Sequence, residues 1–218
     1  MDWVNTSGAN MSGLEFGAIL VLAISPLASD LQYAHSYNAD ETPEMSAPKW
    51  TGKGSGASVE VAEGMLAVQG EGPNTRQFYI MDQASGAWDM ESGLATVEFR
   101  LKCSAADPED EVFRVQITDG KAMWRVVFYT NRCNGVKVDN HEWDTYRLAI
   151  KDGRMQISSE KHGVIAWQNE AVPHEEPPAL IFGTFKNPQS QTSREWSLDF
   201  IRWTNEEALM DETRKSGQ

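Results

Sequence analysis

Glu98 with Arg100, Arg114 with Gln116, and Arg125 with Tyr129 fall on the polar side of three successive segments whose other side is apolar. Guanidinium groups carry planar, paired N–H donors that fit carboxylates, sulfates or neighbouring hydroxyls. Tyr129, or an exposed tryptophan such as Trp88 or Trp143, has the flat apolar body that stacks on a sugar ring. If the three segments are neighbours, these side chains form one arginine-rich polar face on a concave sheet. The same pattern also describes an ordinary solvated sheet face with Glu–Arg pairs across strands.

Other chemistries have thinner support. Glycoside hydrolysis needs two carboxylates about 5–9 Å apart around one bond. The densest acidic run, residues 107–111, lacks strand alternation and reads as a solvated or cation-attracting loop. His35, His141, His162 and His174 show no i, i+4 pair and no nearby cysteine, so neither a metal site nor a Ser-His-Asp system is indicated. Cys103 and Cys133 form no CxxC pair. In an oxidising compartment they can close one disulfide; otherwise they are two thiols near a core.

The segments that carry these residues read as strands. Residues 94–103 alternate cleanly, with Ala95, Val97, Phe99 and Leu101 on one side and Thr96, Glu98, Arg100 and Lys102 on the other. Residues 112–118 and 121–130 flank Asp119-Gly120, and residues 145–151 and 154–158 flank Asp152-Gly153, each a hairpin signal. Further strands are expected at 59–61, 65–69, 76–81, 135–138, 164–168, 179–185 and 195–204. In the last of these, Trp196, Leu198 and Phe200 share the side expected in the core. Short strands with almost no helical periodicity predict an all-β fold, a two-sheet antiparallel β-sandwich or jelly roll. Only residues 205–215 look helical, with Asn205 as a cap.

The order of these segments resembles the concanavalin A-like lectin/glucanase superfamily, including its laminin G-like members, over residues 50–204. The resemblance is carried by ATVEFRLK, FRVQITDGKAMWRVVF, the phrase Trp143-Asp144-Thr145-Tyr146-Arg147-Leu148 followed by Asp152-Gly153, and the closing WSLDFIRWT. It departs where the family has a further Asp-Gly turn, since this chain has Glu160-Lys161-His162-Gly163. The resemblance implies the sandwich and a carbohydrate or polysaccharide partner, but not which activity, because the fold hosts lectins, hydrolases, lyases and adhesion modules. Glucanases of this fold carry E-x-D-x-x-E or E-x-D-x-E, and no such string occurs here. Glu98-Phe99-Arg100 is similar to part of the R-x-E-L-R strand of alginate lyases of the same fold, and Gln116-Ile117-Thr118 to their Q-I-H strand. Phe185-Lys186-Asn187 is only faintly similar to their closing Y-x-K-x-G-x-Y. Thr96 stands in place of the first Arg and Thr118 in place of the His, and the catalytic Tyr has no counterpart, so β-elimination lacks its acid and base. No catalytic residue is assigned. Lectin and laminin G-like members often hold calcium through loop Asp and Asn, which would make Asp139, Asn140 and the residues of 107–110 the candidates; no other cofactor is expected.

The 218 residues, 40% hydrophobic with eight Trp and eight Phe, suit one domain with its own core. A net charge of −13 opposes phosphate backbones, so nucleic acid is a poor partner. Residues 16–27 are too short to span a bilayer but match a signal-peptide hydrophobic stretch, although no Lys or Arg precedes them. The map is therefore 1–30 as signal peptide or extension, 31–49 as lead-in, 50–204 as the sandwich and 205–218 as a tail. No membrane span is expected in the mature domain, and a secreted, periplasmic or cell-surface location follows. Three functions fit: a binding module for acidic glycans through the arginine-rich face, a carbohydrate-active hydrolase or lyase, and a structural or adhesion domain.

Overall fold

The computed structural model describes residues 33–168, 171–188, 190 and 192–211; the apolar run at 16–27 lies outside them. In chain order the strands are β1 (His35–Tyr37), β2 (Thr51–Ser55), β3 (Ala57–Ala62), β4 (Met65–Glu71), β5 (Arg76–Asp82), β6 (Ala95–Ala105), β7 (Phe113–Thr118) and β8 (Ala122–Phe128). There follow β9 (Arg132–Cys133), β10 (Val136–Lys137), β11 (Asp144–Lys151), β12 (Arg154–Ser159), β13 (Gly163–Gln168), β14 (Val172–Pro173), β15 (Ala179–Thr184) and β16 (Ser193–Thr204). A 3-10 turn at Gln83–Ser85 is the one helical element among the described residues. None of their helices is long and apolar enough to cross a membrane.

The strands form the expected two-sheet antiparallel β-sandwich of jelly-roll type. Sheet I has the order β13-β12-β11-β6-β16-β4-β3, with β1 continuing the line of β4 along β16. Sheet II has the order β10-β9-β8-β7-β15-β5-β2, with β14 on the free edge of β8. Three tight turns need the left-handed conformation at both central residues, Glu63-Gly64 between β3 and β4, Asn134-Gly135 between β9 and β10, and Asp152-Gly153 between β11 and β12. The Asp119-Gly120 turn is built differently. The Asp119 carboxylate accepts from the amides of Lys121 and Ala122, and only Gly120 has positive φ.

The core lies between the sheets. Val97, Phe99 and Leu101 of β6 and Tyr146, Leu148 and Ile150 of β11 face Val115, Val126, Phe128 and Phe182 of sheet II. Aromatic rings dominate, with Phe113 5.0 Å from Trp196 and Phe128 4.9 Å from Tyr146, both edge-on. Each buried side chain of this size contributes about 1.5–3 kcal/mol of transfer free energy. The lead-in is part of the body: β1 pairs with β16, Tyr37 is buried, and Trp50 wedges edge-on between Phe182 (4.8 Å) and Trp203 (5.3 Å). Cys103 and Cys133 are buried free thiols, one from each sheet.

Two sequence expectations need correction here. In β16, Leu198 pairs with Leu101 but Phe200 pairs with Arg100, so Asp199 is an extra, bulged residue. The bulge reverses the alternation: Ile201 and Trp203 enter the core, and Phe200 is half-buried rather than a core residue. The described part of the tail, residues 205–211, is not helical but runs across the outer face of sheet I. Thr96 donates from Oγ1 to the Glu207 carbonyl and accepts from Leu209 N–H, while Gln156 exchanges two bonds with Asp211. Side chains of the sheet thus supply partners that a short charged helix would have to find within itself.

Candidate functional site

The residues expected on one face are divided between two. Glu98 and Arg100 lie on β6 in sheet I, whereas Arg114, Gln116 and Arg125 lie on β7 and β8 in sheet II. Each set points outward from its own sheet, so the two sets sit on opposite surfaces of the sandwich. Alternation reports which side chains leave the core, and it is silent on which sheet a strand joins. The lyase-like residues Glu98, Arg100 and Gln116 are consequently not assembled around one point.

On the outer face of sheet II, antiparallel register lines the residues up in rows. One row reads Lys53, Phe78, Gly183, Arg114, Val127; the next reads Thr51, Ile80, Ile181, Gln116, Arg125. With strands about 4.8 Å apart, five strands make a surface about 19 Å wide. Gly183 is required: its φ is +133°, and a Cβ would come within 2.3 Å of the Gln77 carbonyl oxygen. The space left between Phe78 and Arg114 is filled by Phe185, whose ring stacks on Phe78 at 4.9 Å while the Arg114 guanidinium covers it at 4.5 Å. Glu111 holds Arg114 from the side at 2.6 Å, and Gln116 accepts from it at 3.2 Å. Arg125 is exposed, directly across from Gln116, and has no acidic partner among the described residues. Outward cations on these five strands are Lys53, Arg76, Arg114 and Arg125, against the single outward acid Asp82.

The loop that carries Phe185 is anchored from beneath. Arg194, 2% exposed, donates to the carbonyls of Gly72, Thr75, Glu111 and Phe185, and burial pulls its pKa down against the pull of Asp110 and Glu111. Asp110 accepts from Ser190 at 2.7 Å and from Thr192. Tyr129 follows β8 and is half-buried, with the Arg132 guanidinium stacked 3.8 Å above its ring.

Glu98 is a clamp rather than an accessible group. Its Oε2 accepts from Tyr33 Oη at 2.9 Å and from Arg147 at 2.9 and 3.2 Å, and its Oε1 accepts twice from Arg202. Arg147 also reaches Asp211 of the tail at 3.4 Å. Arg100 bridges to Asp199 at 2.7 Å and lies over the ring of Trp143 at 5.3 Å. Of the two tryptophans considered for stacking, Trp88 is buried in the core and Trp143 is half-buried on the surface.

The loop residues considered for calcium also make bonds within the fold. Asn140 donates to the carbonyls of Tyr129 and Arg132 and accepts from Tyr146 Oη, and Asp107 and Asp139 each cap a turn amide. Sequence reasoning missed Glu111 and Phe78. An aromatic among the polar positions of β5, beside Arg76, was the available signal for Phe78; nothing marked Glu111 apart from its acidic neighbours.

No protein-family model matches the chain, and no curated protein matches it. Solved structures do. A sialidase aligns at TM-score 0.54 and 9% identity over 80% of this chain, which spans only 19% of the sialidase. The metal-free carbohydrate recognition domain of Emp46p aligns at 0.51 and 10% over 83% of this chain and all of that one. A botulinum neurotoxin type C chain, whose cell entry depends on interaction with two ganglioside molecules, aligns at 0.52 and 9% over 76% of this chain and 45% of its own. At these identities the likeness is one of fold: an antiparallel jelly-roll sandwich.

Proposed function

We propose that the domain is a concanavalin A-like carbohydrate-binding module that holds an acidic glycan across the outer face of sheet II. One observation carries this reading. A chain of net charge −13 gathers Lys53, Arg76, Arg114 and Arg125 on one face, with Asp82 the one outward acid on the same strands and Glu111 paired to Arg114 from the loop before β7. Like charges that self-repel are costly to concentrate unless something anionic meets them. Phe78, Ile80, Ile181 and Val127 give the face an apolar floor between those cations, a combination suited to sugar rings that bear carboxylates or sulfates. Support also comes from the neighbours, among them a carbohydrate recognition domain and a toxin chain that meets gangliosides. Holding rather than cutting is favoured because Glu98 is enclosed by two arginines and Gln116 lies on the opposite surface. Such a ligand implies a working place outside the cytoplasm.

The test is binding to a uronate-rich polysaccharide and to the same polymer after carboxyl reduction, by isothermal titration at two salt concentrations. The acidic polymer is expected to bind and the reduced polymer to bind about tenfold more weakly, with Arg125→Ala costing a similar factor. Affinity should fall with salt, and no new reducing or unsaturated ends should appear. Equal affinity for both polymers, or an Arg114→Ala/Arg125→Ala variant that binds like the parent, would sink the proposal.

A further inference from the structure

The bulge in β16 points to a second site, on the other surface. Asp199 has no register partner on β6, and it and Phe200 both emerge on the outer face of sheet I beside Arg100. Resetting the alternation for Ile201 and Trp203 explains why a residue is inserted, but not why the two bulged positions are an acid and an aromatic. Bulges commonly re-aim side chains at functional positions. The Arg100–Asp199 pair is open to solvent, its side chains 44% and 34% exposed, and exposed pairs of that kind contribute little to stability. Trp143 lies under the Arg100 guanidinium, and Thr145, Arg100 and Phe200 share one register row. The described part of the tail bonds to Thr96, Arg147 and Gln156, away from the Arg100 end of β6, and the Arg202 guanidinium lies 5.1 Å from the Phe200 ring centroid.

We propose that Trp143, Arg100, Asp199 and Phe200 form a subsite for an uncharged sugar residue. The rings supply a stacking surface, and the adjacent guanidinium and carboxylate supply a donor and an acceptor for two neighbouring hydroxyls. Charge separates this patch from sheet II. There cations are in surplus, whereas here Arg100 and Asp199 cancel, so an anionic group has nothing to gain. The inference shares with the proposed function the premise that the ligand is a glycan, but it does not depend on the sheet II face.

A glycan array carrying neutral and acidic oligosaccharides, probed with the parent, Trp143→Ala, Asp199→Asn and Arg125→Ala, tests it. Neutral glycans are expected to bind the parent and Arg125→Ala alike and to lose about tenfold in affinity with Trp143→Ala and with Asp199→Asn. Asp199→Asn keeps the bulge and the side-chain shape, so it reports on the site even if Trp143→Ala loosens the fold, which a melting curve reveals. Neutral glycans that bind all four proteins equally, or that fail to bind the parent while acidic ones succeed, overturn the second site and leave the sheet II reading standing. An array with no bound glycan overturns both. Acidic binding lost with Arg125→Ala beside neutral binding lost with Asp199→Asn supports two separate sites.

Discussion

Replacing Glu98 by glutamine separates a clamp from a ligand contact. In the parent one carboxylate, 2% exposed, accepts from Tyr33, Arg147 and Arg202. Arg147 is itself buried, its side chain 3% exposed, and beyond Glu98 the one acid that pairs with it among the described residues is Asp211, 3.4 Å away. The amide keeps one acceptor oxygen but turns an NH2 toward a guanidinium, leaving a buried cation with only the longer contact to the part-exposed Asp211. Breaking a buried pair in this way costs about 3–5 kcal/mol. For a domain of this length that corresponds to a melting temperature lower by about 6–20 °C, a large part of a total stability of about 5–15 kcal/mol. Arg202→Ala should cost much less, about 1 kcal/mol or below, because that side chain is 44% exposed. Urea unfolding followed by tryptophan fluorescence, with the slope checked for constancy, gives both values. The folded Glu98→Gln protein should bind glycan as the parent does. If it keeps its stability to within about 0.5 kcal/mol and loses glycan affinity, the clamp reading is refuted.

Asn140→Ala removes the bonds that tie the Tyr129–Arg132 turn to Tyr146 of the opposite sheet, and a loss of about 2–4 kcal/mol in urea unfolding is expected. Cys103 and Cys133 are both buried, and burial raises both thiols well above their ordinary pKa. Native protein should therefore resist iodoacetamide at neutral pH and react with it only after unfolding; rapid native labelling would contradict the packing. Burial also raises the Asp144 carboxyl, although Thr145 and Lys161 amides bond to its Oδ1. A folded-state value above the unfolded value of about 3.9 means that Asp144 favours the fold at low pH and loses that favour as pH rises through its folded value. Asp144→Asn should melt at or above the parent at pH 7, with the gap closing as pH falls toward about 4; a gap that widens on acidification would reverse the sign.

Much of the architecture could be read from alternation. The inward sets of β6, β7 and β8 are those the period-two pattern gives, because each strand buries one face. Local pattern carries no record of the chain's crossing from sheet I to sheet II between β6 and β7, and that crossing divides the arginines. Nor does it show a bulge, since Asp199 satisfies the alternation as well as any polar residue until its partner strand is known. The tail failed for a related reason. Asn205 and the charges after it fit a helix start locally, but Thr96 and Gln156, more than 50 positions earlier in the chain, supply the partners that hold it extended.

The shared clamp at Glu98 ties together parts of the chain that lie far apart in sequence. Tyr33 bonds to Glu98, Asp211 bonds to Arg147, and Arg147 bonds to Glu98, so a run of bonded side chains on the outer face of sheet I links the lead-in to the tail. A change at Glu98 therefore loosens both segments at once, on the surface opposite Arg114 and Arg125.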